Sequence, residues 1–288
     1  MIRRVFIALL ACLLVAGSPL TATAEPALDT KNKGLYISPL RNYLSLSAGD
    51  TVTRSFTVAN LTDTAMTVNI HVERFSMIDY SYDYSFSKVQ NDWLHFSQSV
   101  LTLEPYRSQE VPYTLSLPTT AAPGGYYYSL FASSTNSSGS TTNTIQVGSL
   151  LYLTVKGDTT YDFTLSKVTV PMLVTGPKIN YSFDIENTGN THYFALISAQ
   201  IDGLFYHDAP NGTSQLLMPG AIRHVAASIN APLLPGIYRL TYTIAPDHGS
   251  IMTKRQLIIN APPWSIVALF FVVLVIIGIR RRKKATSA

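Results

Sequence analysis

Six histidines, three neighbouring aspartates and an alternating tyrosine run are the side chains here that could do chemistry. Catalysis or metal binding needs such groups to converge. His71, His95, His192, His207, His224 and His248 are scattered, and no two have ligand spacing on one strand face. There is no HExxH, GxSxG or CxxC, and no glycine-rich phosphate loop. Asp79, Asp83 and Asp92 offer carboxylate oxygens but lack the dense spacing of a calcium loop. The one cysteine, Cys12, lies in an apolar N-terminal stretch. Its removal would leave no thiolate nucleophile, thiolate metal site or disulfide. These residues predict a protein that is not an enzyme and holds no metal or cofactor.

Binding chemistry is better represented. Tyr80, Tyr82 and Tyr84 alternate, so an extended segment would put them on one face, flanked by Asp79 and Asp83. Such a face suits stacking on sugars or on a peptide, and Asp79, Tyr80, Tyr82, Asp83 and Tyr84 form the candidate ligand contact. Trp93, entering a strand, reads as core filling. Tyr126, Tyr127 and Tyr128 lack alternation and should supply both faces of one strand.

The elements that must position these residues are strands. Met66, Val68, Ile70 and Val72 alternate with Thr67, Asn69, His71 and Glu73, a period of two. Val52 to Glu73 therefore predicts a hairpin across Asn60, Thr62, Asp63 and Thr64, and Ile179 to Asp202 repeats it across Asn187 to Asn190. A smaller hairpin is expected around Asn211-Gly212. Pro39 restricts Leu35 to Leu46 to edge strands. Leu103-Glu104-Pro105 recurs as Leu217-Met218-Pro219, and Pro123-Gly124-Gly125-Tyr126 as Pro235-Gly236-Ile237-Tyr238. The second half is a shortened copy of the first. Strands and turns at this spacing predict an all-β chain of two tandem immunoglobulin-like β-sandwich domains, at residues 35–157 and 158–261. The stretch SSTNSSGSTTN is a low-complexity hairpin tip, and Asn60, Asn136 and Asn211 begin glycosylation sequons in predicted turns.

The two ends fix an expected address. Arg3 and Arg4, an apolar run and Ala22-Thr23-Ala24 read as a signal peptide over residues 1–24, followed by a leader at 25–34. Residues 262–279 read as a transmembrane helix with Trp264 at the outer interface. Arg280, Arg281, Arg282, Lys283 and Lys284 follow within a basic tail at 280–288, which marks the cytoplasmic side. The expectation is a single-pass cell-membrane protein with its N-terminal ectodomain outside. The 21 Lys and Arg residues include two in the signal and five in the tail, leaving 14 against 17 acidic groups, a formal charge of −3. The basic pI thus reflects membrane-insertion signals and argues against nucleic-acid binding.

Gly49-Asp50, Asn60 to Asp63, Trp93-Leu94, Leu103 to Pro105 and Pro123 to Tyr126 follow one another as in a known group. The order resembles the ectodomain of bacterial WxL-interacting surface proteins, although these short motifs also occur in periplasmic pilus chaperones. The resemblance implies a signal peptide, two immunoglobulin-like domains, one C-terminal membrane pass and a basic tail. It further implies peptidoglycan or another cell-wall polymer, and a secreted surface protein, as partners. The expected function is a non-enzymatic, membrane-anchored surface protein that binds such a polymer or protein. A structural stalk and a chaperone-like strand-pairing module for surface subunits are the alternatives.

Overall fold

The computed structural model describes residues 34–138 and 141–286. The expected signal peptide and all but the last residue of the leader lie outside the described residues. Nineteen strands and one helix are present among the described residues. The first sandwich contains β1 (Leu35–Ser38), β2 (Arg41–Leu46), β3 (Thr51–Asn60), β4 (Met66–Met77), β5 (Tyr84–Lys88), β6 (Leu94–Phe96), β7 (Val100–Leu103), β8 (Ser108–Ser116), β9 (Gly124–Ser138) and β10 (Thr141–Val155). One sheet has the order β1-β3-β8-β6; the other is β2-β10-β9-β4-β5, with β7 also on β4.

The second sandwich contains β11 (Phe163–Thr169), β12 (Leu173–Val174), β13 (Lys178–Asn187), β14 (Tyr193–Gly203), β15 (Tyr206–Asp208), β16 (Thr213–Leu217), β17 (Ile222–Asn230), β18 (Gly236–Pro246) and β19 (Met252–Asn260). Its sheets are β11-β13-β17 and β12-β19-β18-β14-β15, with β16 on β14. Strand for strand this is the first plan without β6. Both copies also share one parallel pairing, β2 on β10 and β12 on β19. The fold is therefore all-β, with two immunoglobulin-like sandwiches. A final helix, α1 (Pro263–Thr286), continues through the basic cluster.

Alternating apolar residues close each core as the sequence pattern requires. Phe56 and Val58 of β3 meet Val68 and Ile70 of β4, Leu130 of β9 and Leu151 and Leu153 of β10. Phe183 and Ile185 of β13 meet Ile197 and Ile201 of β14, Leu240 of β18 and Ile258 of β19. Trp93 is half-buried against the first core, its ring 4.6 Å from that of Tyr126.

The hairpin expected over Val52 to Glu73 is not a hairpin. β3 pairs with β1 and β8, while β4 pairs with β5, β7 and β9 in the facing sheet. β13 and β14 are split between sheets in the same way. A period of two shows only that each strand has a core face, and two strands on opposite sheets satisfy that equally well. The Asn211-Gly212 hairpin also fails: β15 and β16 each pair with β14, so residues 209–212 only link two segments along one edge.

What holds each sheet-crossing corner is a buried asparagine. The Asn60 amide donates to the carbonyls of Thr64 at 2.7 Å and of Leu103 and Glu104 at 3.1 Å. Its side-chain oxygen accepts from the Thr62 N–H at 2.9 Å and from the Thr62 hydroxyl at 2.6 Å. Asn187 repeats the device: its amide donates to Thr191 and Leu217 carbonyls at 2.9 Å, and its oxygen accepts from the Gly189 N–H at 2.8 Å. The corner can cross between sheets because this side chain satisfies backbone groups that no ladder reaches. Asn60 is fully buried, so its sequon is closed in the folded protein.

Removing either amide strands several carbonyls in the interior. Asn60→Ala and Asn187→Ala are each expected to lower stability by about 3 kcal/mol, whereas Asn211→Ala at an exposed loop should cost about nothing. Urea titration of the full chain in detergent measures the three.

Candidate functional site

Two features outside the cores could act on a partner: the junction between the sandwiches and an unpaired sheet edge. The junction begins with a phase change in β4. Met66, Val68 and Ile70 face the first core, but Phe75 and Met77 fall on the opposite face. There they join Tyr127 and Tyr152 from the same sheet, and Met218 and Ala221 from the second sandwich. The Phe75 and Tyr152 rings meet edge-on at 5.2 Å, and Tyr43 stacks on Tyr152 at 4.9 Å. Burial pushes the Tyr127 and Tyr152 phenols well above their usual range.

His192 sits among Tyr43, Tyr127 and Tyr152, with ring centroids 5.2–6.0 Å away. Its Nδ1 is buried and has no hydrogen-bond partner among the described residues. Burial lowers its pKa to about 4, because a charged imidazole would lose its water here. Asn190 closes the rim. It accepts from the Gly125 N–H at 2.8 Å through its backbone carbonyl and donates to the Asp158 carbonyl at 2.9 Å through its amide.

The candidate contact residues Asp79, Tyr80, Tyr82, Asp83 and Tyr84 lie beside this junction, but not as one extended face. Residues 79–82 form a turn, with Tyr80 at φ 60°, and only Tyr84 enters β5. The expected alternation fails because the turn rotates successive side chains apart. Asp79 Oδ1 accepts from the Ile222 N–H at 2.9 Å, and the Tyr80 N–H donates to the Ile222 carbonyl at 2.9 Å. Asp83 Oδ2 accepts from the Ser81 hydroxyl at 2.7 Å, which shapes the turn. The Tyr84 hydroxyl lies 3.2 Å from that of Tyr152. Tyr82 donates to Gln215 at 3.2 Å and remains largely exposed.

Two cations complete this clamp. Arg223 is buried, donates to the Ser81 carbonyl and lies 4.1 Å from the Tyr82 ring centroid. Lys167 Nζ is 2.9 Å from the Tyr80 hydroxyl and 3.0 Å from Asp184 Oδ2, and it covers the Tyr80 ring at 4.7 Å. His224 Nδ1 lies 2.7 Å from Asp184 Oδ1, and that hydrogen bond, with Lys167, holds the Asp184 carboxyl below its usual range. None of His192, Arg223 or Met218 was marked by spacing. The out-of-phase Phe75 and Met77 were the available signal.

The second feature is the outer edge of β10. β2 pairs only with residues 150–155, and its cover ends where Ser149 Oγ donates to the Pro39 carbonyl at 2.6 Å. Beyond that, β10 continues on β9 alone among the described residues. The Leu150 and Lys156 N–H groups donate to Leu40 and Leu46, on the β2 side. Strand alternation therefore aims the N–H groups of Thr144, Gln146 and Gly148 outward as well. The stretch Asn143-Thr144-Ile145-Gln146-Val147-Gly148 carries no charge. The equivalent edge of β19 carries Lys254 and Arg255, the charges that normally protect an open edge.

Trp264 begins α1 half-exposed, and Arg280 through Lys284 fall within the same helix. Pro263–Arg280 is long and apolar enough to cross a membrane, and the rest of the chain covers none of it. Among the described residues no three His, Cys, Asp or Glu side chains come together as a metal site.

These features define a two-domain immunoglobulin-like sandwich protein with a docked joint and an uncharged open edge on β10. No family model and no curated protein matches the sequence. Among solved structures it is similar to the class 5 fimbriae chaperone CfaA, at 12% identity and a TM-score of 0.43, over 80% of this chain and 100% of that one. A chaperone–tip adhesin complex of CFA/I fimbriae gives 10% identity and 0.42, over 80% and 99%. The Pseudomonas aeruginosa CupB2 chaperone gives 10% and 0.34, over 77% and 99%. These likenesses concern the sandwich fold, and they fall on pilus chaperones rather than on WxL-interacting proteins.

The buried imidazole makes the joint acid-sensitive. Unfolding restores His192 to its ordinary value near 6.5, so between about pH 6.5 and 4 the unfolded chain binds the extra proton and stability falls as pH falls. His192→Gln is expected to flatten that part of a stability-versus-pH curve measured by urea titration.

Proposed function

We propose that this chain is a non-enzymatic, membrane-anchored module that captures an extended segment of a secreted surface protein by strand addition to β10. The observation that carries it is the uncharged open edge at residues 143–149, with outward N–H groups at Thr144, Gln146 and Gly148. An incoming strand would gain main-chain hydrogen bonds there, and alternate side chains would meet Ile145 and Val147 on the core-facing side. Ile145 is exposed at 41%, and Val147 packs on the end of the core. The exposed apolar helix and its basic flank support the anchor and an orientation with the sandwiches on the outer face.

A cell-wall polymer receives less support. Sugar stacking needs open ring faces, and Tyr80 and Tyr82 each have a cation on one face. The protein partner is therefore the preferred reading, and the strand-pairing alternative takes precedence over the polymer-binding one.

Gln146→Pro removes one outward donor while leaving the bonds to β9, which come from Ile145 and Val147. Photo-crosslinking from position 144 in intact cells, followed by mass spectrometry, should trap a secreted polypeptide. Gln146→Pro is expected to lower that yield about tenfold or more and Gln146→Ala to leave it unchanged. Equal yields in both variants, or no polypeptide trapped, would remove the edge from the mechanism.

A further inference from the structure

At the far end of the second sandwich, three loops present large apolar side chains to solvent. Leu204 and Phe205 form the turn from β14 to β15 and are 86% and 88% exposed. Leu233 and Leu234 form the turn into β18, at 83% and 59%. Met172 and Leu173 lead into β12, at 73% and 59%. A water-facing loop favours polar residues, and Leu-Phe and Leu-Leu at adjoining tips contradict that preference. The first two loops line a common groove of about 360 Å³.

The topology puts all three loops at one end. Gly236 at the start of β18 pairs with Asn260 at the end of β19, Asp202 near the end of β14 pairs with Arg239, and Val174 pairs with Asn260. Helix α1 leaves from the same end: only Ala261 and Pro262 separate β19 from Pro263. Two residues reach at most about 7 Å. The loops are also tied to that exit point. Asn260 is buried, and its amide donates to the Pro232 and Leu234 carbonyls at 2.6 and 2.9 Å. The Ile259 N–H donates to the Met172 carbonyl at 2.7 Å, and that of Ala261 to the Val174 carbonyl at 2.8 Å.

We infer that these tips are a second membrane contact, inserted into the interfacial layer of the bilayer that α1 crosses. The inference rests on the membrane-anchored part of the proposed function. If the helix spans, the short tether brings this end of the domain to the lipid surface, and the apolar tips meet the acyl boundary there. Trp264 at the start of the helix sits at the same level, as interfacial tryptophans do. Charge agrees with a lipid surface: residues 171–178, 203–206 and 231–237 contain no acidic group and one lysine, Lys178. A single flexible anchor would let the ectodomain tumble. Three inserted loops around it fix the orientation of the second sandwich and, through the docked joint, that of the first.

The test uses the full chain with Cys12→Ser in nanodiscs of phosphatidylcholine and phosphatidylglycerol. An environment-sensitive fluorophore is placed in turn at Phe205→Cys, Leu233→Cys, Leu274→Cys in the helix and Tyr106→Cys at the opposite end, with or without spin-labelled lipid. Shallow spin labels should quench positions 205 and 233 about twofold or more, as the interfacial depth requires, and leave position 106 unaffected. Quenching at 274 by deep spin labels, without shallow-label quenching at 205 and 233, overturns the inference and leaves the anchor standing. No quenching at 274 by deep labels overturns the anchor and the inference with it. Blue-shifted emission at 205 and 233 without lipid quenching means that protein covers the tips, and it also overturns the inference.

Discussion

The buried asparagine amide at each sheet crossing is the interaction on which the architecture depends. A chain that leaves one sheet for the facing sheet abandons its ladder, and its carbonyls must find donors inside the protein. Asn60 and Asn187 supply two N–H donors and an acceptor at that point, and they bind the corner to the strand arriving from Leu103 or Leu217. Asn260 uses the same chemistry on Pro232 and Leu234 to bind the last loop to the segment that leads into α1. Three asparagines therefore organise the chain at its distal end, its joint and its base. Tyrosine hydroxyls reinforce the duplication. Tyr126 donates to the Ala122 carbonyl and Tyr238 to the Leu234 carbonyl, both at 3.0 Å.

With the corners set, the outer face of the larger first sheet becomes available for docking. Its aromatic residues bury Met218 and Ala221, and the turn at residues 79–82 reaches across to the start of β17. This joint combines apolar burial with charge-assisted contacts from Arg223 and Lys167, so it resists both sliding and separation. A docked joint matters for the proposed strand capture. It lets the base of the second sandwich determine where the open edge of the first one points.

The open edge belongs to the first sandwich, and the apolar tips lie at the helix end of the second. The β19 edge, nearer the base, carries Lys254 and Arg255, while the equivalent stretch of β10 is uncharged. That asymmetry between duplicated domains is difficult to explain by stability alone, because an uncharged free edge invites unwanted pairing. It is the expected difference if one copy binds and the other supports.

Much of this was legible in the chain. Period-two alternation gave the strands, the recurrence of L-x-P and P-x-G gave the duplication, and the uncharged run ending at Ile279 gave the helix that could span a membrane. Those are local properties, set by side-chain polarity along a backbone whose faces alternate. Which strands pair was not local: β3 and β4 share a turn and a pattern, yet their partners lie elsewhere along the chain, on opposite sheets. Nor did Asp79 to Tyr84 declare themselves as a clamp, because Arg223 and Lys167 reach them only after two domains have folded and docked. The sequence by itself determined the strands, their core faces and the repeat. Tertiary structure alone decided which sheet each strand entered, which edge stayed open and what the tyrosines met, because those depend on contacts between residues far apart in the chain.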